Sequence, residues 1–298
     1  MRATMRLATL LAFYCAVSPT TAGAQQHFPS PEAAARALEA ATRGSDPGRL
    51  LSILGPEGDK IVSSGDPVDD AAARRRFASA AAARTRIEHP TDGAIAVLRV
   101  GRDDWPFPIP IVHDADGWRF EAAAGKEELL NRRVGRNELV TIEVCRAYVD
   151  AQKVFARRFH TFAQSFRSTP GKRDGLYWET TDHDVSPFGP LVADATGEGY
   201  HLREADAPRA PYHGYFFRIL TAQGEHAPDG ARDYVKDGKM TGGFALVAWP
   251  ADHGSSGIMT FMVGPQGVVF QKDLGEGTAD AAKAITAYDP DASWQPTR

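Results

Sequence analysis

Residues 137–159 read NELVTIEVCRAYVDAQKVFARRF, and the period of that stretch decides how the second half of the chain is built. Glu143, Arg146, Asp150, Lys153 and Arg157 recur at intervals of three and four, with Val144, Tyr148, Ala151 and Phe155 opposite them. A helix returns to one face every 3.6 residues, so this spacing predicts a helix with a solvated ridge and a broad apolar face. A face that broad needs a large partner, and a sheet is the expected one. Asn137 reads as the N-cap, and Glu138 lies where the helix dipole favours negative charge. Arg157, Arg158 and His160 lie at the end that favours positive charge. Residues 125–133 read as a separate short helix, divided from the long one by Gly135.

Downstream, residues 169–211 are rich in Gly, Pro, Asp and Ala. They read as ordered loops with short elements, anchored by Trp178, Phe188 and Leu191. Strands are expected at 212–221, 243–249, 257–263 and 268–271. Pro265-Gln266-Gly267 joins the last two as a hairpin.

Upstream, Ser30-Pro31-Glu32, Ser45-Asp46-Pro47 and Asp66-Pro67 each place an oxygen-bearing cap before a proline, a helix-start signal. The first helix should end near Thr42 at Gly44, the second at Gly55-Pro56, and the third near Ala83. The period then changes to two. Ile95, Val97 and Arg99 alternate with Ala96, Leu98 and Val100, which reads as a strand buried on both sides. In 105–112, Pro106, Pro108 and Pro110 face one way and Phe107, Ile109 and Ile111 the other. Proline cannot donate to a ladder, so this is an edge strand or an extended segment beside one. Asp114-Ala115-Asp116-Gly117 is a turn, and Trp118 and Phe120 point together beyond it. Helices followed by antiparallel strands predict an α+β fold.

The chain has 298 residues, enough for about two domains. Its 34 basic and 38 acidic residues give a net charge of −4, which excludes a broadly basic nucleic-acid binder and a highly charged disordered chain. Arg2 and Arg6 precede an apolar stretch at 7–17, and Ala22-Gly23-Ala24 follows. This is the pattern of a secretory signal cleaved after Ala24. Phe13 and Tyr14 before Cys15 do not suit a lipid-attachment motif, so Cys15 leaves with the signal. The mature chain has 32 basic against 38 acidic residues, a net of −6, and one thiol, Cys145. It can form no intrachain disulfide and must be held by its core. No membrane span is expected in it. The expected organisation is a signal at 1–24, an α+β domain at 25–134, and a long helix with an antiparallel sheet at 135–298.

Two parts of this pattern resemble known architectures. Three helices and a meander ending in Trp118-x-Phe120, at about 28–122, look like the cone-shaped domains of the nuclear-transport-factor-2-like superfamily. The long helix with the Gly214-Tyr215-x-Phe217 strand and closing hairpin resembles the globular part of type IV pilins and pseudopilins. Pilins place an apolar membrane helix directly before that region, where this chain has a charged helix. The strings GKEELLNRRVGRNEL (125–139), EVCRAYVDAQ (143–152), DGLYW (174–178), SPFGPLVA (186–193), YHGYFFRILTAQG (212–224) and GKMTGGFALVAWPADHGSSGIMTFMV (238–263) resemble a bacterial family of exported proteins, domain-of-unknown-function family two-nine-five-zero. That resemblance implies export and implies no catalytic residues.

The chemistry-bearing residues assemble no recognisable catalytic motif. Cys145 lies nearer the apolar face of its helix and reads as a core residue. The histidines (His27, His89, His113, His160, His183, His201, His213, His226 and His253) include no pair at metalloprotease or zinc-finger spacing. Asp182-His183-Asp184 is the most ligand-like trio and reads as a solvated loop. His253-Gly254-Ser255-Ser256-Gly257 is one residue short of a nucleophile elbow and reads as a flexible turn. Residues 239–243 lack the order of a phosphate loop. Arg74-Arg75-Arg76 reads as a solvated face paired locally with Asp69 and Asp70. Glu127 and Glu128 diverge on a helix, and Tyr212, Tyr215, Phe216 and Phe217 read as core. No catalytic, cofactor-binding or metal-ligating residue is assigned. The expected function is a non-catalytic binding or interaction module of the cell envelope, periplasmic or secreted. Its partner would be an envelope protein, or a small apolar ligand near Trp105, Trp118 and Phe120. The alternatives are a hydrolase assembled from loops around His183 or His213, and a pilin-like assembly component.

Overall fold

The computed structural model describes residues 25–90, 93–181, 184–201 and 210–297. The expected signal segment, Asp182 and His183 lie outside the described residues. Capping oxygens start three of the first four helices. Ser30 accepts from Ala33 N at the head of α1 (Pro31–Arg43), and Asp46 from Gly48 N at α2 (Pro47–Leu54). A 3-10 turn (Pro56–Gly58) and α3 (Asp59–Val62) follow. Asp66 then accepts from Val68 N and Asp69 N at α4 (Pro67–Ala83). Each cap satisfies a donor that the helix itself cannot, and proline in the first turn forfeits no bond.

The first sheet is antiparallel: β1 (Thr85–Glu88), β2 (Ile95–Val100), β3 (Trp105–Pro106), β4 (Ile111–Asp114) and β5 (Gly117–Phe120), in the order β1-β2-β4-β5 with β3 also on β2. The expectation that β2 is buried on both sides is corrected. Ala96, Leu98 and Val100 are buried while Ile95 is 40% exposed, because α1 and α4 cover one face of the sheet only. The proline segment behaves as its chemistry requires. β3 and β4 both pair with β2, the ladder is broken between them, and Phe107, Ile109 and Ile111 turn inward.

A second correction concerns α5 (Ala122–Phe159), a single helix of 38 residues with no break at Gly135. Gly135 has open space where a Cβ would stand. A glycine in an exposed helix interior costs about 1 kcal/mol relative to alanine, too little to end a helix packed on both sides of it. Asn137 is therefore not a cap; it lies inside the helix at 0% exposure. At about 1.5 Å per residue α5 is about 57 Å long. Its start joins an apolar cluster with α1, α2 and the first sheet, and Cys145, Tyr148, Val149, Ala151 and Phe155 join a second cluster. The stripe Glu143, Arg146, Asp150, Lys153, Arg157 is exposed as expected.

Beyond α5, Trp178 and Phe188 are buried and Leu191 packs against the same cluster, as expected of the three anchors; α6 (Gly189–Glu198) lies in this stretch. β6 (Tyr215–Leu220) follows. Two small ribbons pair β7 (Ala222–Gln223) with β8 (Arg232–Asp233) and β9 (Val235–Lys236) with β10 (Lys239–Met240). β11 (Ala245–Pro250), β12 (Met259–Val263), β13 (Val269–Asp273) and β14 (Gln295–Pro296) complete an antiparallel sheet ordered β14-β13-β12-β11-β6. The β12–β13 hairpin is the one expected. β11 is buried throughout because it is sandwiched: α5 packs on β11, β12 and β13, and α7 (Thr278–Ala284) also packs on β11. Arg218, opposite Val247, donates to the Ala282 and Lys283 carbonyls of α7, which places α7 on that face. The long helix thus packs on a sheet, as its pattern predicted.

Candidate functional site

The two apolar clusters meet across a polar seam, and the seam frames a groove. Asp66 is 1% exposed. One of its oxygens caps α4; the other accepts the Tyr200 hydroxyl at 3.0 Å and Gly214 N–H at 2.8 Å. Tyr200 Oη in turn accepts His213 N–H at 3.2 Å. Gly214 is left-handed, at φ 75°, and an added Cβ would meet Asn137 Nδ2 at 2.7 Å and Ser256 Cβ at 2.8 Å. Only glycine meets both demands. Asn137 donates to Ser256 O at 2.9 Å, and Glu138 Oε1 accepts Ile258 N–H and Met259 N–H, each at 3.0 Å. Arg133 donates to the carbonyls of Lys60 (2.7 Å) and Ile61. Burial pulls its pKa below the usual guanidinium value, opposed by Asp70 and Asp69. Burial likewise pushes Asp70 up, opposed by its bonds from Ser64.

Beside this seam lies a groove of about 520 Å³, within the usual size of small-molecule sites. Helical spacing builds its walls. Asp69, Ala72 and Arg76 share a face of α4, and Arg136 and Val140 lie one turn apart on α5. Glu198 at the end of α6, Tyr200 and His213 close the other side. Asp69, 4% exposed, holds two guanidiniums: Oδ2 accepts Arg136 Nη2 at 2.9 Å and Oδ1 faces Arg76 Nη2 at 3.5 Å. Arg75, also on the wall, has no hydrogen bond or ion pair among the described residues. His213 is left-handed, at φ 46°, with its side chain 16% exposed. Its Nε2 lies 2.7 Å from Glu198 Oε2, while Nδ1 is buried without a partner. The rings of Tyr200 and Tyr212 pack against it at 5.2 and 4.4 Å. Burial pushes the Tyr200 hydroxyl above its ordinary range and Tyr212 up to about 12.

Of the residues singled out in the sequence, His213 and the arginine run reach this groove. The reading of Arg74-Arg75-Arg76 as a solvated face is therefore incomplete: Arg76 pairs with Asp69 as expected, yet Arg75 and Arg76 also line the cleft. Cys145 is buried in apolar surroundings that push its thiol up to about 12, which fits a core residue. Asp184 is taken by Arg158 (2.8 Å) and Arg173 (2.6 Å). The turn at 253–257 is corrected from flexible to locked. Ser255 and Ser256 are fully buried, Ser256 Oγ donates to Asp252 O at 3.1 Å, and His253 bonds Asp273 at 2.9 Å. Of the residues expected near an apolar ligand, Trp105 and Phe120 both pack edge-on against Phe107, with ring centroids 6.0 and 6.3 Å away, while Trp118 packs against His89 and His113. His27, Asp114 and Asp116 bring ligand atoms within 4.8 Å of one another, but Asp114 already accepts Arg119 at 2.9 Å, whose charge opposes a cation. Arg136, Glu198 and Tyr200 were not anticipated; the charged face of α4 was the one local signal of the groove.

The family model described as "Protein of unknown function (DUF2950)" matches residues 25–297. No curated protein and no solved structure matches the chain. Among the described residues, no helix is long and apolar enough to cross a membrane.

Proposed function

We propose, for a chain that belongs to the DUF2950 family over residues 25–297, that it is an exported, non-catalytic binding module whose ligand site is the groove between α4, α5, the end of α6, Tyr200 and His213. One observation carries this reading: the groove walls come from elements far apart in sequence and are set in place by two buried carboxylates, Asp66 and Asp69. Preorganised polar groups on a concave surface of this size are what a small-molecule site requires. The test is native mass spectrometry of the protein isolated from its host, compared with Ala72→Trp, which fills the groove. The reading expects a bound small molecule in the wild type and its loss from a folded variant. A ligand retained by Ala72→Trp would remove it.

The export part of the proposal is supported by Arg2, Arg6, the apolar stretch at 7–17 and Ala22-Gly23-Ala24, and by a family match that starts at Gln25. N-terminal sequencing of the host's protein should read Gln25 first; an intact Met1 would overturn it. We extend the proposal to architecture. Residues 25–134 are a cone of the nuclear-transport-factor-2-like kind, supported by the helices, the meander and the first apolar cluster. Residues 135–298 are pilin-like, supported by the long helix on an antiparallel sheet. The hydrolytic alternative has the 2.7 Å contact between Glu198 and His213 in its favour. Against it, Nδ1 of that ring is buried, so it has no open path to a substrate.

A further inference from the structure

We propose that the groove takes an organic anion, a carboxylate or phosphate monoester joined to an apolar body, and that Asp69 positions Arg76 and Arg136 to grip its charged end. This inference rests on the groove being the binding site. Asp69 contributes one negative charge, yet it engages a guanidinium from α4 and another from α5. The trio keeps a surplus of one positive charge, and Arg75 on the same wall adds a second with no partner among the described residues. Glu198, across the groove and 2.7 Å from His213 Nε2, offsets one of these charges, so the groove walls keep one positive charge in surplus, on the α4–α5 side.

Geometry adds direction to that surplus. A guanidinium carries five donors in a rigid plane. Among the described residues, Arg76 and Arg136 each bond through Nη2 alone, to the same buried carboxylate. Their remaining N–H groups are free to form the paired bonds that suit a carboxylate or phosphate. Asp69 is nearly inaccessible, and its two oxygens face one guanidinium each, so the carboxylate holds the two forks together. Val68, Ala72 and Val140 supply apolar wall beside the cationic end, which selects an organic anion over a bare inorganic one.

The experiment is calorimetric titration of the mature chain at low salt with phenyl phosphate, benzoate, benzyl alcohol and inorganic phosphate. At least one of the two aromatic anions should bind saturably and more tightly than benzyl alcohol or phosphate; which of the two is tighter identifies the source chemistry. Arg76→Met and Arg136→Met should each weaken that binding about tenfold, the loss of a charge-assisted pair. Arg136→Lys should fall between, because it keeps the charge and loses the fork. Arg75→Ala, at a side chain with no partner to lose, should fold normally and weaken binding about threefold, with a loss that shrinks as salt rises. Benzyl alcohol binding as tightly as the anions would overturn the proposal. So would anion affinities within twofold of wild type in both methionine variants, or no binding by either anion. Failure of the charge inference alone leaves Ala72→Trp still displacing the host's ligand; failure of the site reading leaves that ligand in place.

Discussion

Replacing Asp66 by alanine tests the seam at its centre. Three consequences follow from the structure. The α4 cap is lost, with Val68 N and Asp69 N left to water; such caps contribute about 1 kcal/mol. The Tyr200 hydroxyl and Gly214 N–H, both buried, lose their acceptor, at about 1–3 kcal/mol each. Removing a buried carboxylate returns part of its desolvation cost, so the net destabilisation should be about 3–5 kcal/mol, a large share of the about 5–15 kcal/mol that holds most domains. Tyr200→Phe loses the donor to Asp66 and the acceptor of His213 N–H but keeps the cap and the Gly214 bond, so it should cost about 1–2 kcal/mol. The assay is urea unfolding of residues 25–298 followed by tryptophan fluorescence and circular dichroism, for both single variants and the double. Because the two groups touch, their effects should fail to add, by about 1 kcal/mol or more. A cost below 1 kcal/mol for Asp66→Ala, or strict additivity in the cycle, would refute the reasoning.

Three further outcomes are expected. Gly257→Ala would place a Cβ 2.0 Å from Tyr215 Oη, whose hydroxyl donates to Met259 O at 3.0 Å, so it should lower stability by about 2 kcal/mol or more, with partial rescue in Tyr215→Phe; equal stability of variant and wild type by urea titration would contradict this. Cys145 is buried with its thiol pushed up to about 12, so a disulfide reagent should label it only as fast as the protein unfolds; rapid labelling of native protein would show the environment to be wrong. The hydrogen bond that the His226 ring donates to Asp289 raises the pKa of His226 above its ordinary value. Its small contribution to stability is therefore present below the unfolded pKa and fades as pH rises through the folded one. In Asp289→Asn the His226 ring should titrate at lower pH by NMR, and an unchanged midpoint would remove the pairing.

Local chemistry made much of the fold legible. Ser30-Pro31, Asp46-Pro47 and Asp66-Pro67 announce their helices because the capping bond spans two or three residues. The stripe from Glu143 to Arg157 reveals its helix because period and burial agree. Gly135 and Asn137 misled for the same reason: they carry helix-end chemistry, but packing along the rest of α5 outweighs it. The site was largely hidden. Asp66 shows its cap in the sequence, but its bonds to Tyr200 and Gly214 reach 134 and 148 residues away. Arg136 meets Asp69 across 67 residues, and no spacing rule reaches that far. His213 and the arginine run could each be noticed alone, and only the folded chain shows that they face one cleft.

The most direct test of the account is a crystal structure of residues 25–298 grown with phenyl phosphate. The account predicts the phosphate between the guanidiniums of Arg76 and Arg136, with the phenyl ring against Val68 and Val140. Phenyl phosphate bound elsewhere, with the groove empty and the Arg76–Asp69–Arg136 contacts intact, would contradict it.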